Sequence, residues 1–116
     1  MKLEHITINV ASLEESVPFY QKALGLAVII DMRKTSGMPI VFLAQQPDDP
    51  KIELIENPGQ AYSGAGLSIG FHVADAKQLH QQLTEGGFHP TDFVSPAPGV
   101  SFFFVKDPNG VTIQLM

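Results

Sequence analysis

Four side chains at repeat-related positions hold most of the chemistry available to this chain: His5 and Glu53 in its first half, Ser68 and Gln114 in its second. An imidazole with a carboxylate can ligate a divalent ion or move a proton. A hydroxyl with an amide chiefly gives and takes hydrogen bonds. The four are equivalent because the sequence repeats. Val10-Ala11 recurs as Val73-Ala74, 63 residues on, and Ser12 falls on Asp75. Ile52-Glu53-Leu54 recurs as Ile113-Gln114-Leu115, 61 residues on. A duplication with a near-constant offset predicts two similar units related by pseudo-symmetry, with equivalent positions meeting around one cavity.

The elements that must position these residues follow from periodicity. Residues 3–10 alternate, with Ile6, Ile8 and Val10 on one face and His5, Thr7 and Asn9 on the other, as in a half-buried strand. Ser12-Leu13-Glu14-Glu15 has the form of a capping box. Leu13, Val17, Tyr20 and Leu24 then recur at helical spacing, and Gly25 can end the helix. Further strands are expected at 26–33, 39–45 and 51–56. After a Gly- and Pro-rich connection the order repeats: a strand at 67–73, and a helix capped by Asp75 with Ala76, Leu79 and Leu83 on its buried face. Gly86-Gly87 closes that helix, and strands near 88–93, at 100–105 and at 111–115 follow. Asp107-Pro108-Asn109-Gly110 is a tight-turn sequence between the last two. Each unit reads as βαβββ, which makes the chain an α+β protein of two tandem modules with mostly antiparallel sheet. The expected organisation is one domain over residues 1–116, with module one at 1–57, a linker at 58–65 and module two at 66–116.

Alternation also sorts the faces. The polar set is His5, Thr7, Asn9, Glu53, Ser68, Gly70, His72, Thr112 and Gln114, too poor in Lys and Glu for an ordinary solvated face. Such a face suits the lining of a concave ligand site. Thr7, Asn9, Ser68 and His72 are the candidate ligand-binding groups on it. Phe102-Phe103-Phe104 must turn at least one ring to the same side, and Phe103 is taken as that ring. His80 and His89 read as surface or loop residues without partners.

Composition narrows the function classes. At 116 residues the chain can bury an adequate core without staples, and with no cysteine it has neither disulfides nor thiolate chemistry. The net charge of −5, without a Lys/Arg cluster, argues against nucleic acid. No apolar run approaches the roughly 20 residues of a membrane span, and no signal peptide is apparent. A cytoplasmic protein with a small-molecule ligand is the expectation.

His5 on the first strand, Ser16-Val17-Pro18-Phe19-Tyr20 running to Leu24-Gly25-Leu26, Ile52-Glu53-Leu54, and Asp107-Pro108-Asn109-Gly110 leading into Ile113-Gln114-Leu115 together resemble the vicinal oxygen chelate superfamily. That superfamily includes glyoxalase I, bleomycin-resistance proteins and extradiol dioxygenases. The resemblance covers essentially the whole chain. It implies paired βαβββ modules curled into a cup with helices on the outer face, and a homodimer. It also implies a divalent metal (Ni, Zn, Mn or Fe) held from the first and last strands of each module. The matching positions are His5, Glu53 and Gln114, with Ser68 at the fourth. Ser68 and Gln114 depart from the His and Glu usual there, and His72 cannot stand in for Ser68, being about 13 Å further along a strand.

Two functions follow. One is a glyoxalase-like lyase or isomerase acting on a substrate with vicinal oxygens, in which Glu53 moves a proton at a degenerate metal site. The other is a metal-free protein that binds or sequesters a small molecule, as bleomycin-resistance proteins do.

Overall fold

Each half of the chain builds its own four-stranded mixed sheet. The computed structural model describes residues 1–116, which fall into two compact units, Met1–Tyr62 and Ser63–Met116. No helix is long and apolar enough to cross a membrane.

In the first unit, β1 (His5–Val10), α1 (Leu13–Lys22), β2 (Ala27–Asp31), α2 (Met32–Thr35), β3 (Ile40–Ala44) and β4 (Lys51–Glu56) follow in order. The sheet runs β1-β4-β3-β2, with β1 parallel to β4 and the other pairs antiparallel. Alternation drives one face inward. Ile8, Val10, Val41, Leu43, Ile52 and Leu54 are all buried, and α1 packs against the β3 and β4 part of this sheet. Its buried residues, Leu13, Ser16, Val17, Phe19 and Tyr20, form a stripe at helical spacing. Pro18 sits inside the helix without ending it. The chain leaves α1 at Gly25, whose φ of +67° is left-handed backbone that a glycine adopts without strain.

Two local expectations change here. The Ser12 side chain makes no capping bond; the Leu13 N–H instead donates to Glu56 Oε1 at 2.9 Å, so the carboxylate comes from the end of β4. The strand expected through Arg33 stops at Asp31, because Asp31 caps a short helix. Its carboxylate accepts from the Arg33 N–H (3.1 Å), Nε (2.9 Å) and Nη2 (2.8 Å). These bonds hold the Asp31 carboxyl below its ordinary value.

The second unit repeats the plan with β5 (Ser68–Phe71), α3 (Ala76–Glu85), β6 (Val94–Ala97), β7 (Val100–Lys106) and β8 (Thr112–Leu115), in the order β5-β8-β7-β6. Here the Asp75 cap forms as its sequence implies, accepting from the Gln78 N–H at 3.0 Å. Ile69, Leu83, Phe103, Val105, Ile113 and Leu115 make the core. The strand expected at 88–93 lies later, at Val94–Ala97. Pro90 has no N–H to give a ladder, and Thr91 uses its hydroxyl in place of a backbone group. Its N–H donates to the Phe104 carbonyl (2.8 Å), and its Oγ1 accepts from the Phe104 N–H (2.9 Å).

His80 is the other correction. Its Nε2 donates to the Thr91 carbonyl at 2.9 Å, and its ring lies against Phe93 and Phe103, with centroids 5.1 and 4.9 Å away. It therefore ties α3 to the segment before β6.

Candidate functional site

The parallel pairing of β1 with β4 places Thr7 directly beside Glu53, with His5 one step diagonally away. Thr7 Oγ1 donates to Glu53 Oε1. His5 Nε2 lies 3.5 Å from the same oxygen, longer than an ordinary hydrogen bond. Both contacts fall on Oε1. Glu53 keeps 13% of its side chain exposed and His5 39%, so both can be reached by a small molecule.

On the other side of Glu53 stands Phe42, its register partner on β3. The Phe42 ring meets the His5 ring edge-on, with centroids 5.7 Å apart. Sequence reasoning passed over Phe42. The signal that finds it is cross-strand register, since the β3 residue opposite Glu53 must share its face.

The second unit repeats this geometry with different chemistry. Ser68 pairs with Thr112 and Gly70 with Gln114, as His5 pairs with Lys51 and Thr7 with Glu53. Phe104 flanks Gln114 as Phe42 flanks Glu53. Gly70 thus stands where the first unit has Thr7. The Gln114 amide has a single weak contact, Nε2 to the Met116 Sδ at 3.9 Å. His72 lies just past the end of β5 and is exposed, while Asn9 lies within β1 and is half-buried.

Phe103 is not on this face. It is 0% exposed, pairs with Leu115, and packs its ring on His80 and Phe93. The rings on the Gln114 side are Phe102 and Phe104, which meet edge-to-face with centroids 5.5 Å apart. Successive strand side chains alternate, and the middle ring of the three went inward to cover α3.

The donor set can be weighed against a divalent ion. The first unit supplies one imidazole and one carboxylate, fewer than the three protein ligands of a catalytic zinc. No three His, Cys, Asp or Glu side chains gather to hold an ion. At the repeat-related positions, Ser68 and Gln114 bring a neutral hydroxyl and a neutral amide. These residues do not fit a tightly held ion.

Two four-stranded mixed sheets, each built on a βαβββ order to which the first unit adds the short α2, with a parallel first and last strand and a polar face centred on Glu53 or Gln114, define a class of protein. Residues 2–115 match the model of the Glyoxalase/Bleomycin resistance protein/Dioxygenase superfamily, and the chain belongs to it. Among its relatives, the lactoylglutathione lyase of Escherichia coli O157:H7 is 29% identical over 129 aligned positions, spanning 100% of this chain and 92% of that protein. The Haemophilus influenzae lactoylglutathione lyase is 28% identical with the same coverage. Among solved structures, the trypanothione-dependent glyoxalase I of Leishmania major matches with a TM-score of 0.78 and 26% identity, over 100% of this chain and 86% of that one. TnmS3, an antibiotic binding protein from Streptomyces sp. CB03234, shares the fold with a TM-score of 0.78 at 18% identity, over 99% of this chain and 93% of that one.

Proposed function

We propose that the chain is a glyoxalase-like small-molecule enzyme, a lyase or isomerase whose working group is Glu53. The observation that carries this reading is the anchoring of one carboxylate oxygen, Oε1, by Thr7 and His5. A carboxylate fixed through one oxygen keeps one orientation, and proton transfer depends on holding the base within reach of the proton it takes. A substrate with vicinal oxygens has an acidified carbon-bound proton next to a carbonyl. Glu53 would remove that proton and return it to the neighbouring carbon, while the hydroxyl proton on the first carbon passes to the former carbonyl oxygen, so that hydroxyl and carbonyl exchange places, the net chemistry of an isomerisation. The similarity to lactoylglutathione lyases supports the same reaction class.

The first probe is the hemithioacetal of methylglyoxal and glutathione, chosen because those relatives are named for its rearranged product. Formation of the thioester is followed with the wild-type chain and with Glu53→Gln. The expected outcome is a loss of about 100-fold or more in kcat/KM for Glu53→Gln. Equal activity of the two proteins would end the proposal.

A second reading, binding without turnover, draws on Ser68 and Gln114, a neutral hydrogen-bonding pair at positions equivalent to His5 and Glu53. It would be favoured if the wild-type chain turned nothing over yet retained a small-molecule ligand.

A further inference from the structure

One peptide link in the chain is chemically labile by sequence and restrained by the fold. Of the asparagines, Asn9 precedes the β-branched Val10, Asn57 precedes Pro58, and Asn109 precedes Gly110. A backbone nitrogen that follows an asparagine can attack its side-chain amide. Pro58 has no N–H with which to do so, and Val10 crowds the approach with a branched side chain. Gly110 has the N–H and no side chain. The turn needs a glycine there, because its φ of +85° is left-handed backbone. Asn109 and Gly110 are both half-exposed, so water reaches them.

The surrounding bonds restrain the attacking atom. The Gly110 N–H donates to the Asp107 carbonyl at 3.0 Å, closing the turn. Asp107 Oδ1 accepts from the N–H groups on either side of it, those of Asn109 and Val111, each at 2.8 Å. The Asp107 N–H donates to the Val111 carbonyl at 3.0 Å. Asp107 is 5% exposed and Val111 is wholly buried, so this set of bonds is sheltered from water. To attack, the Gly110 nitrogen must leave the Asp107 carbonyl and the backbone at Asn109 must rotate, which requires the turn to open. The first unit has Pro47-Asp48-Asp49-Pro50 between β3 and β4, with no asparagine.

We propose that Asn109–Gly110 is a site of spontaneous deamidation, held in check by Asp107, and that its modification unlocks the turn between β7 and β8. The Gly110 nitrogen bonds to Asn109 Cγ, the Cγ–Nδ2 bond breaks, and ammonia departs with the proton shed by that nitrogen. Water then opens the resulting succinimide at either carbonyl, to aspartate or to isoaspartate. Either product sets a second carboxylate two residues from that of Asp107, and like charges repel. Isoaspartate also adds a methylene to the main chain. The longer link no longer presents both N–H groups to Asp107 Oδ1, and the start of β8, the strand that carries Gln114, loosens. None of this depends on the reading of Glu53 above.

The test follows the full-length protein stored at mildly alkaline pH, with a synthetic peptide of residues 104–112 as the unrestrained reference. Trypsin cleaves after Lys106, and the change of amide to acid in residues 107–116 is read by mass. Labelling with isoaspartyl methyltransferase reports the isoaspartate. The expected result is that Asn109 converts while Asn9 and Asn57 do not, about tenfold or more slowly than in the peptide. Asp107→Ala should bring the rate within severalfold of the peptide's, and Asp107→Asn, which keeps an acceptor oxygen, should fall between. If Asp107→Ala does not fold, the wild-type chain in urea below its unfolding transition serves, where conversion should rise as the turn opens. A wild-type rate equal to the peptide's, or a folded Asp107→Ala no faster than wild type, would overturn the role of Asp107. Asn109 left intact in both proteins while the peptide converts would overturn the site itself. The isoaspartyl form, separated by anion exchange, should have a lower Tm than the unmodified chain. Asn109→Asp should show a smaller drop, because it adds the charge without the methylene. An unchanged Tm for the isoaspartyl form would overturn the unlocking.

Discussion

The orientation of Glu53 depends on a neighbour with no charge of its own. Thr7 donates to Oε1 from the adjacent strand, and its β-branched side chain has few rotamers to choose from. Thr7→Val keeps that shape and removes the donor. Side-chain three-bond couplings of Glu53 should then report averaging over rotamers, while Thr7→Ser should preserve the wild-type values. If Thr7→Val leaves the couplings unchanged, His5 alone orients the carboxylate. At Phe103 the issue is stability. The ring is wholly buried against His80 and Phe93. Phe103→Ala should therefore cost about 3–5 kcal/mol in urea unfolding, and Phe102→Ala, with its ring half-exposed, distinctly less.

Among the elements, α1 and α2 begin in different ways. Helix α1 is capped from 43 residues away by Glu56. Glu56→Ala should then destabilise the chain by about 1 kcal/mol, whereas Ser12→Ala, whose hydroxyl caps nothing, should stay within about 0.5 kcal/mol. A larger loss from Ser12→Ala than from Glu56→Ala would reverse that assignment. Helix α2 is capped by Asp31, whose carboxyl is held below its ordinary value of 3.8, chiefly by the Arg33 side chain. A depressed folded value means the ionised form is the stabilising one. The contribution is present above the ordinary value and is lost as pH falls through the depressed one. Carboxyl carbon shifts of Asp31 should titrate with a midpoint below 3.8, and Arg33→Gln should move that midpoint upward.

For the whole molecule, the expectation drawn from the superfamily is a homodimer. Sedimentation at micromolar concentration should give twice the 12.6 kDa chain mass, and a stable monomer would remove any role for a second copy.

Much of this architecture was legible in the residues alone. The alternation of Ile6, Ile8 and Val10 against His5, Thr7 and Asn9 identifies a strand and its faces, since a period of two needs only neighbours in the chain. The repeat offsets of 63 and 61 paired His5 with Ser68 and Glu53 with Gln114, and the matching registers of β1 with β4 and of β5 with β8 carry the same correspondence. The Asp75 cap, three residues from its partner, was equally local. Tertiary structure decided the rest. It turned Phe103 inward and left Phe102 and Phe104 beside Gln114, put Phe42 next to Glu53, moved β6 past Pro90 and Thr91, and brought Glu56 to the start of α1. These outcomes hang on strand register and on contacts between residues far apart in the chain. A local pattern names the two faces of a strand but carries no information about which residue of another strand will stand opposite.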